Sequence, residues 1–178
     1  GPTAEEKRQI SEQVWKDLEE TIQEERQADG TIRYAVKLPW IPTQERLPTN
    51  RAIAKRRLEN LYKSSKAIEG RLEQIDNYFK EQLELGILEV VNENEPASGS
   101  RVHYLPNMPV LRPENKTHPL RMVMDASAHY TNEPCLNDLL YPGPLLLPNL
   151  AGNLLRFRTG KFALIADIEK AFLQVRLQ

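Results

Sequence analysis

The chain has 178 residues, 40% of them hydrophobic and 28% charged, with a formal net charge of −1. That length fits one ordinary domain or two small ones, and no apolar run is long enough to span a bilayer. A single cysteine, Cys135, excludes an internal disulfide and fits a reducing, intracellular setting, cytoplasmic or nuclear. The three histidines, His103, His118 and His129, stand at no metal-ligand spacing with it.

Gly1 and Pro2 read as a protease-cleavage scar outside the fold. Residues 3–28 carry Ile10, Val14, Trp15, Leu18 and Ile22 at three-to-four spacing, the pattern of an amphipathic helix ended by Asp29-Gly30. This segment is acidic: residues 1–29 hold nine acids and four bases, while residues 30–178 hold sixteen acids and twenty bases. A basic body is compatible with nucleic-acid binding, although such an asymmetry also arises from an ordinary solvated surface.

"TIRYAVKLPW" alternates, with Ile32, Tyr34, Val36 and Leu38 expected on a buried face. A helix over about 50–63 follows, capped near Thr49-Asn50 and packing Ile53, Leu58, Leu61 and Tyr62. It carries Arg51, Lys55, Arg56, Arg57 and Lys63, candidates for contact with a nucleic-acid backbone or simply a solvated face. Few aromatic residues interleave with these bases, so stacking on a single strand is expected to be weak. A second helix over about 67–85 places Ile68, Leu72, Ile75, Phe79 and Leu83 inward and stops at Gly86.

"ILEVV" reads as a short strand and "NENEPASGS" as a loop. "HYLPNMPVLRP", the turn "ENKT" and "PLRMVMD" read as a hairpin around a basic turn. Residues 126–148 are loop-rich, and "LPNLAGNLLRFR" is a short helix entered at Pro148. "FALIA" reads as a buried strand running into Asp167, with a helical turn carrying Ala171 and Phe172 beyond it. Asp167 in that position is either a helix cap or a ligand for a hard cation. The element order predicts an α+β fold.

The blocks "HYLPNMPVLRPENKTHPLRMVMDASA", "LNDLLYPGPLLLPNLAGNLLRFR" and "ALIADIEKAFLQV", with "YAVKLPW", "LPTNRAIAKRRLENL" and "LELGILEVV" upstream, resemble the reverse transcriptase of BEL/Pao-type retrotransposons. The resemblance covers about residues 31–178. It implies fingers over 31–145 and the start of a palm over 146–178, preceded by the N-terminal helix of residues 1–30. Asp167 would match the first catalytic carboxylate, which in the family shares two magnesium ions. Phe172 would match the bulky residue that rejects a ribose 2′-hydroxyl, or else be plain core. Arg121 would grip the incoming triphosphate, or be a strand-face charge; Lys116 is a second candidate grip, or a solvated turn residue.

The family also needs an x-Asp-Asp motif on a later palm hairpin, and these 178 residues contain no Asp-Asp pair. The expectation is therefore a chain that does not polymerise DNA and holds no magnesium by itself. Ending shortly after Asp167, it reads as a domesticated retroelement remnant used for protein interaction. A protein partner or a second copy would cover the strand 162–167. The alternative is a piece of a working enzyme that binds an RNA–DNA template-primer or RNA. No membrane partner is expected.

Overall fold

The structure, a computed structural model, describes residues 3–27, 30–43, 45–92, 102–111, 119–143, 147–168 and 171–178. It is α+β, and its contacts divide it into two compact units, one formed by residues 1–39 with 142–178 and the other by residues 40–141. The turn at Gly30, where the sequence suggests a division, joins two strands that pair with each other. No described helix is long and apolar enough to cross a membrane.

In the first unit, helix α1 (Ala4–Thr21) begins at a capping box. Thr3 Oγ1 accepts from the Glu6 amide at 3.3 Å, and Glu6 Oε2 accepts from the Thr3 amide at 2.7 Å. The helix is shorter than its apolar stripe suggests. The chain turns extended at Ile22, and Gln23–Arg26 forms strand β1, antiparallel to β2 (Ile32–Val36). A polar "QEER" has no strand propensity of its own; the ladder with β2 overrides it. Gly30, at φ +86°, closes the turn, with its amide donating to the Gln27 carbonyl at 3.0 Å.

The buried face of β2 is the reverse of the expected one. Ala35 is fully buried, whereas Ile32 and Tyr34 are exposed. Bulk misled the alternation here: α1 contacts β2, and the residue that β2 buries is its smallest. Val14 on α1 is buried in this unit as well.

Helix α4 (Leu150–Phe157) starts as expected, with Asn149 Oδ1 accepting from the Gly152 amide at 3.0 Å. The strand expected over 162–167 does not form, because those residues have no described ladder to join. The helical turn beyond it is a 3₁₀ helix, Ala171–Gln174. A strand expected nowhere in the sequence, β5 (Val175–Leu177), pairs parallel with β2, giving the sheet order β1-β2-β5.

In the second unit, α2 (Arg51–Lys66) and α3 (Arg71–Glu84) accompany the antiparallel hairpin of β3 (Asn107–Leu111) and β4 (Leu120–Met124). The register runs from Asn107 opposite Met124 to Leu111 opposite Leu120. Helix α3 ends in a Schellman motif: the Gly86 amide donates to Leu83 and the Ile87 amide to Gln82, with Gly86 at φ +62°. Its stripe continues to Gln82, which is buried, while Leu83 and Ile68 are exposed. Residues 87–91, expected as a strand, join no described ladder, and Val90 and Val91 stand in solvent. The unit closes on itself where Trp40 and Leu140 form an antiparallel bridge and the Ile41 amide donates to Leu139 at 2.9 Å. The turn at 114–117 and the loop at 93–100 lie outside the described residues.

Asn50 occupies the N-cap position of α2 without capping it. It sits at φ 57°, which asparagine tolerates better than most residues. Its buried Nδ2 donates instead to the carbonyls of Tyr104 (3.2 Å) and Ala128 (3.0 Å). Replacing Asn50 by Ala is expected to cost about 2 kcal/mol in a urea titration, through two lost hydrogen bonds. The near-isosteric Asn50→Asp is expected to cost more, because it sets a carboxylate against two carbonyl oxygens. An Asp variant as stable as the parent would refute the tether.

Candidate functional site

The basic residues of α2 are positioned by what anchors the helix from its other side. Ile53 and Ser65 are buried and Leu61 half-buried, so that face of α2 turns inward. On the same side Arg57 Nη1 meets Asp125 Oδ2 at 2.5 Å, across from the end of β4. Asp125 Oδ1 accepts from the Ser127 amide at 3.0 Å, and the Asp125 amide donates to the Pro106 carbonyl at 2.9 Å. The Arg57 hydrogen bond, helped by the Ser127 amide and the nearby charges of Arg57 and His129, holds the Asp125 carboxyl below its ordinary pKa. Arg57 is therefore committed to the fold. The sequence reading placed Arg57 with Arg51, Lys55 and Arg56 as a candidate for backbone contact and did not foresee this ion pair.

The remaining α2 cations differ. Arg51 lies over the ring of Tyr104, 5.9 Å from its centroid. Lys55, Arg56, Lys63 and Lys66 are exposed. Leu58 and Tyr62, expected in the core, are 61% and 54% exposed and share the outward face with Lys55 and Lys66. Counting round the helix from buried Ile53 would have placed them there.

Arg121 is exposed on β4, opposite Val110 on β3. Lys116 lies outside the described residues. Asp167 and Phe172 belong to the first unit, whereas Arg121 and the α2 cations belong to the second. Asp167 is exposed, and its Oδ1 accepts from the Ile168 amide at 3.0 Å, a bond to the adjacent residue and not to the second or third amide that a helix cap engages. Phe172 is 97% exposed.

A two-magnesium site needs several oxygen ligands converging from more than one carboxylate. Asp167 stands on an exposed segment, and no group of three His, Cys, Asp or Glu side chains among the described residues is placed to hold a metal ion. Cys135 is buried, and burial pushes its thiol pKa up, the state of a packing cysteine rather than a nucleophile. An open groove of about 800 Å³ runs between Trp40, Leu47, Pro48, Val102 and Leu139, and none of the described site candidates lines it.

Comparison with protein-family models, with curated proteins and with solved structures gives no match.

The Arg57–Asp125 pair has a defined acid limit. With a carboxyl pKa lowered by folding, its stabilisation is fully present above the ordinary Asp value of about 3.9 and is lost as pH falls through the lower folded value. Asp125→Asn is expected to cost about 1 kcal/mol at neutral pH, since Arg57 is partly exposed. It should also flatten the acid limb of a stability-versus-pH curve. An unchanged limb would show that the pair contributes nothing. In a separate titration, sub-millimolar magnesium is expected to leave the NMR signals of Asp167 unmoved.

Proposed function

We propose that this chain is a reverse-transcriptase-like piece of the BEL/Pao kind, fingers with the beginning of a palm, that does not polymerise by itself and acts by binding a protein. The observation that carries this reading is the uncovered apolar run between Leu147 and Phe172. Leu164 is 94% exposed, and Leu147, Leu150, Phe162, Ile165, Ile168 and Phe172 are exposed with it. Covering one such side chain is worth about 1.5–3 kcal/mol, against an association cost of roughly 4–15 kcal/mol. Several must therefore be buried together before a complex forms, and this run supplies several. The occupant is a protein partner or a second copy of this chain.

A second reading is supported by a different observation. Lys55, Arg56, Lys63 and Lys66 stand exposed along one helix, next to Arg51, with Glu59 the acid among them. A polyanion backbone, as in RNA or an RNA–DNA duplex, suits that row.

Sedimentation equilibrium tests the first reading. The parent chain is expected to sediment above its single-chain mass of 20.5 kDa, alone or with a partner. The triple variant Leu164→Asp, Ile165→Asp, Phe172→Asp should sediment as a monomer. A parent chain that stays monomeric and captures no protein through this segment would defeat the reading. Primer extension on an RNA template with magnesium and deoxynucleotides is expected to give no product, and any product would sink the non-catalytic part.

A further inference from the structure

The nucleic-acid reading of α2 leaves open which form of polynucleotide the helix takes. The outward face is more than a row of charges. Lys55, Leu58, Tyr62 and Lys66 follow at intervals of three and four residues, so they lie one above another on a single face. From Lys55 to Lys66 the row spans about 16 Å along the axis. Within it an aromatic ring and a leucine side chain stand in solvent between ammonium groups. Their side of the helix is held still from behind, because Asn50 ties the first turn to two carbonyls and Arg57 ties the middle to Asp125.

Duplex nucleic acid would use the cations alone. Its bases are stacked inside the helix, so Tyr62 and Leu58 would face phosphate and sugar and gain little. Few aromatic residues interleave with the cations of α2, but the one ring on α2, Tyr62, is exposed between cations, so it can take a base face of a single strand while they take its phosphates.

On the premise that α2 binds nucleic acid, we infer that its face of Lys55, Leu58, Tyr62 and Lys66 is a site for a single-stranded polynucleotide. A base packs on Tyr62 with Leu58 beside it, and the lysines take the flanking phosphates. Tyr62 is the specificity-determining residue, selecting single strand over duplex.

The test is fluorescence anisotropy of the full chain with labelled oligo-uridylate, oligo-thymidylate and an RNA–DNA duplex of equal length. Both single strands are expected to bind more tightly than the duplex. Tyr62→Ala should weaken single-strand binding about tenfold and leave the duplex unchanged, with Tyr62→Phe restoring it. Lys55→Ala with Lys66→Ala should lower the slope of log affinity against log salt by about 1.4, from two phosphate contacts on a single strand. Equal or tighter binding of duplex, or single-strand binding indifferent to Tyr62→Ala, would overturn the inference while leaving the phosphate reading intact. Binding of no oligonucleotide at low salt would overturn that underlying reading, and binding of an acidic amphipathic peptide in its place would assign the face to a protein instead.

Discussion

A buried carboxamide organises the second unit. Asn50 donates to carbonyls that lie 54 and 78 residues further along the chain. It thereby joins the start of α2 to the segment entering β3 and to the segment leaving β4. Its left-handed backbone turns the chain from the extended connection at 45–49 into the helix. The Tyr104 amide reinforces the junction by bonding the Thr49 carbonyl at 2.8 Å, and the His103 ring reaches the Pro48 carbonyl at 2.6 Å. With this corner fixed, the rotation of α2 about its own axis is fixed as well. Which residues of the helix face water follows from that rotation.

Arg57 is the second constraint on the same rotation, and it illustrates how charge is divided within one helix. Neighbouring arginines at 56 and 57 are alike in sequence but about 100° apart around the axis. One is spent inside the fold against Asp125, the other is free to act outward. The basic character of α2 thus has two parts, one structural and one available.

Much of the second unit is legible in the sequence because its signals are local. Gly86 terminates α3, the apolar runs of β3 and β4 bracket a turn, and the stripe through Ile53 and Leu61 marks a helix. The Thr3–Glu6 box was there to be read too, in a Thr followed three residues later by Glu. What escaped depends on distant partners. "QEER" becomes a strand only through β2, β5 exists only through β2, and nothing near Arg57 announces Asp125. The face of β2 was misjudged because burial there falls on Ala35, while the larger Ile32 and Tyr34 stand exposed. Of the proposed site residues, Lys55 and Arg56 stand out in the sequence by charge, whereas Tyr62 reads as core because an aromatic at helical spacing usually is. Asp167 and Phe172 were placed by resemblance, and their exposure was not foreseeable from the strand-like "FALIA".

The bridge between Trp40 and Leu140 brings the entry and the exit of the second unit side by side. That unit is consequently an insertion in the chain of the first, whose sheet is completed only when Val175–Leu177 reaches β2. On a ribosome the two cannot mature together. Residues 40–141 can close as soon as they have emerged, while β2, paired with β1, gains its second neighbour only after residues 175–177 have followed. Long-range parallel pairing is slow for the same reason, since the closure entropy is lost before any ladder bond is made. The insert can thus close before the sheet that it interrupts is complete.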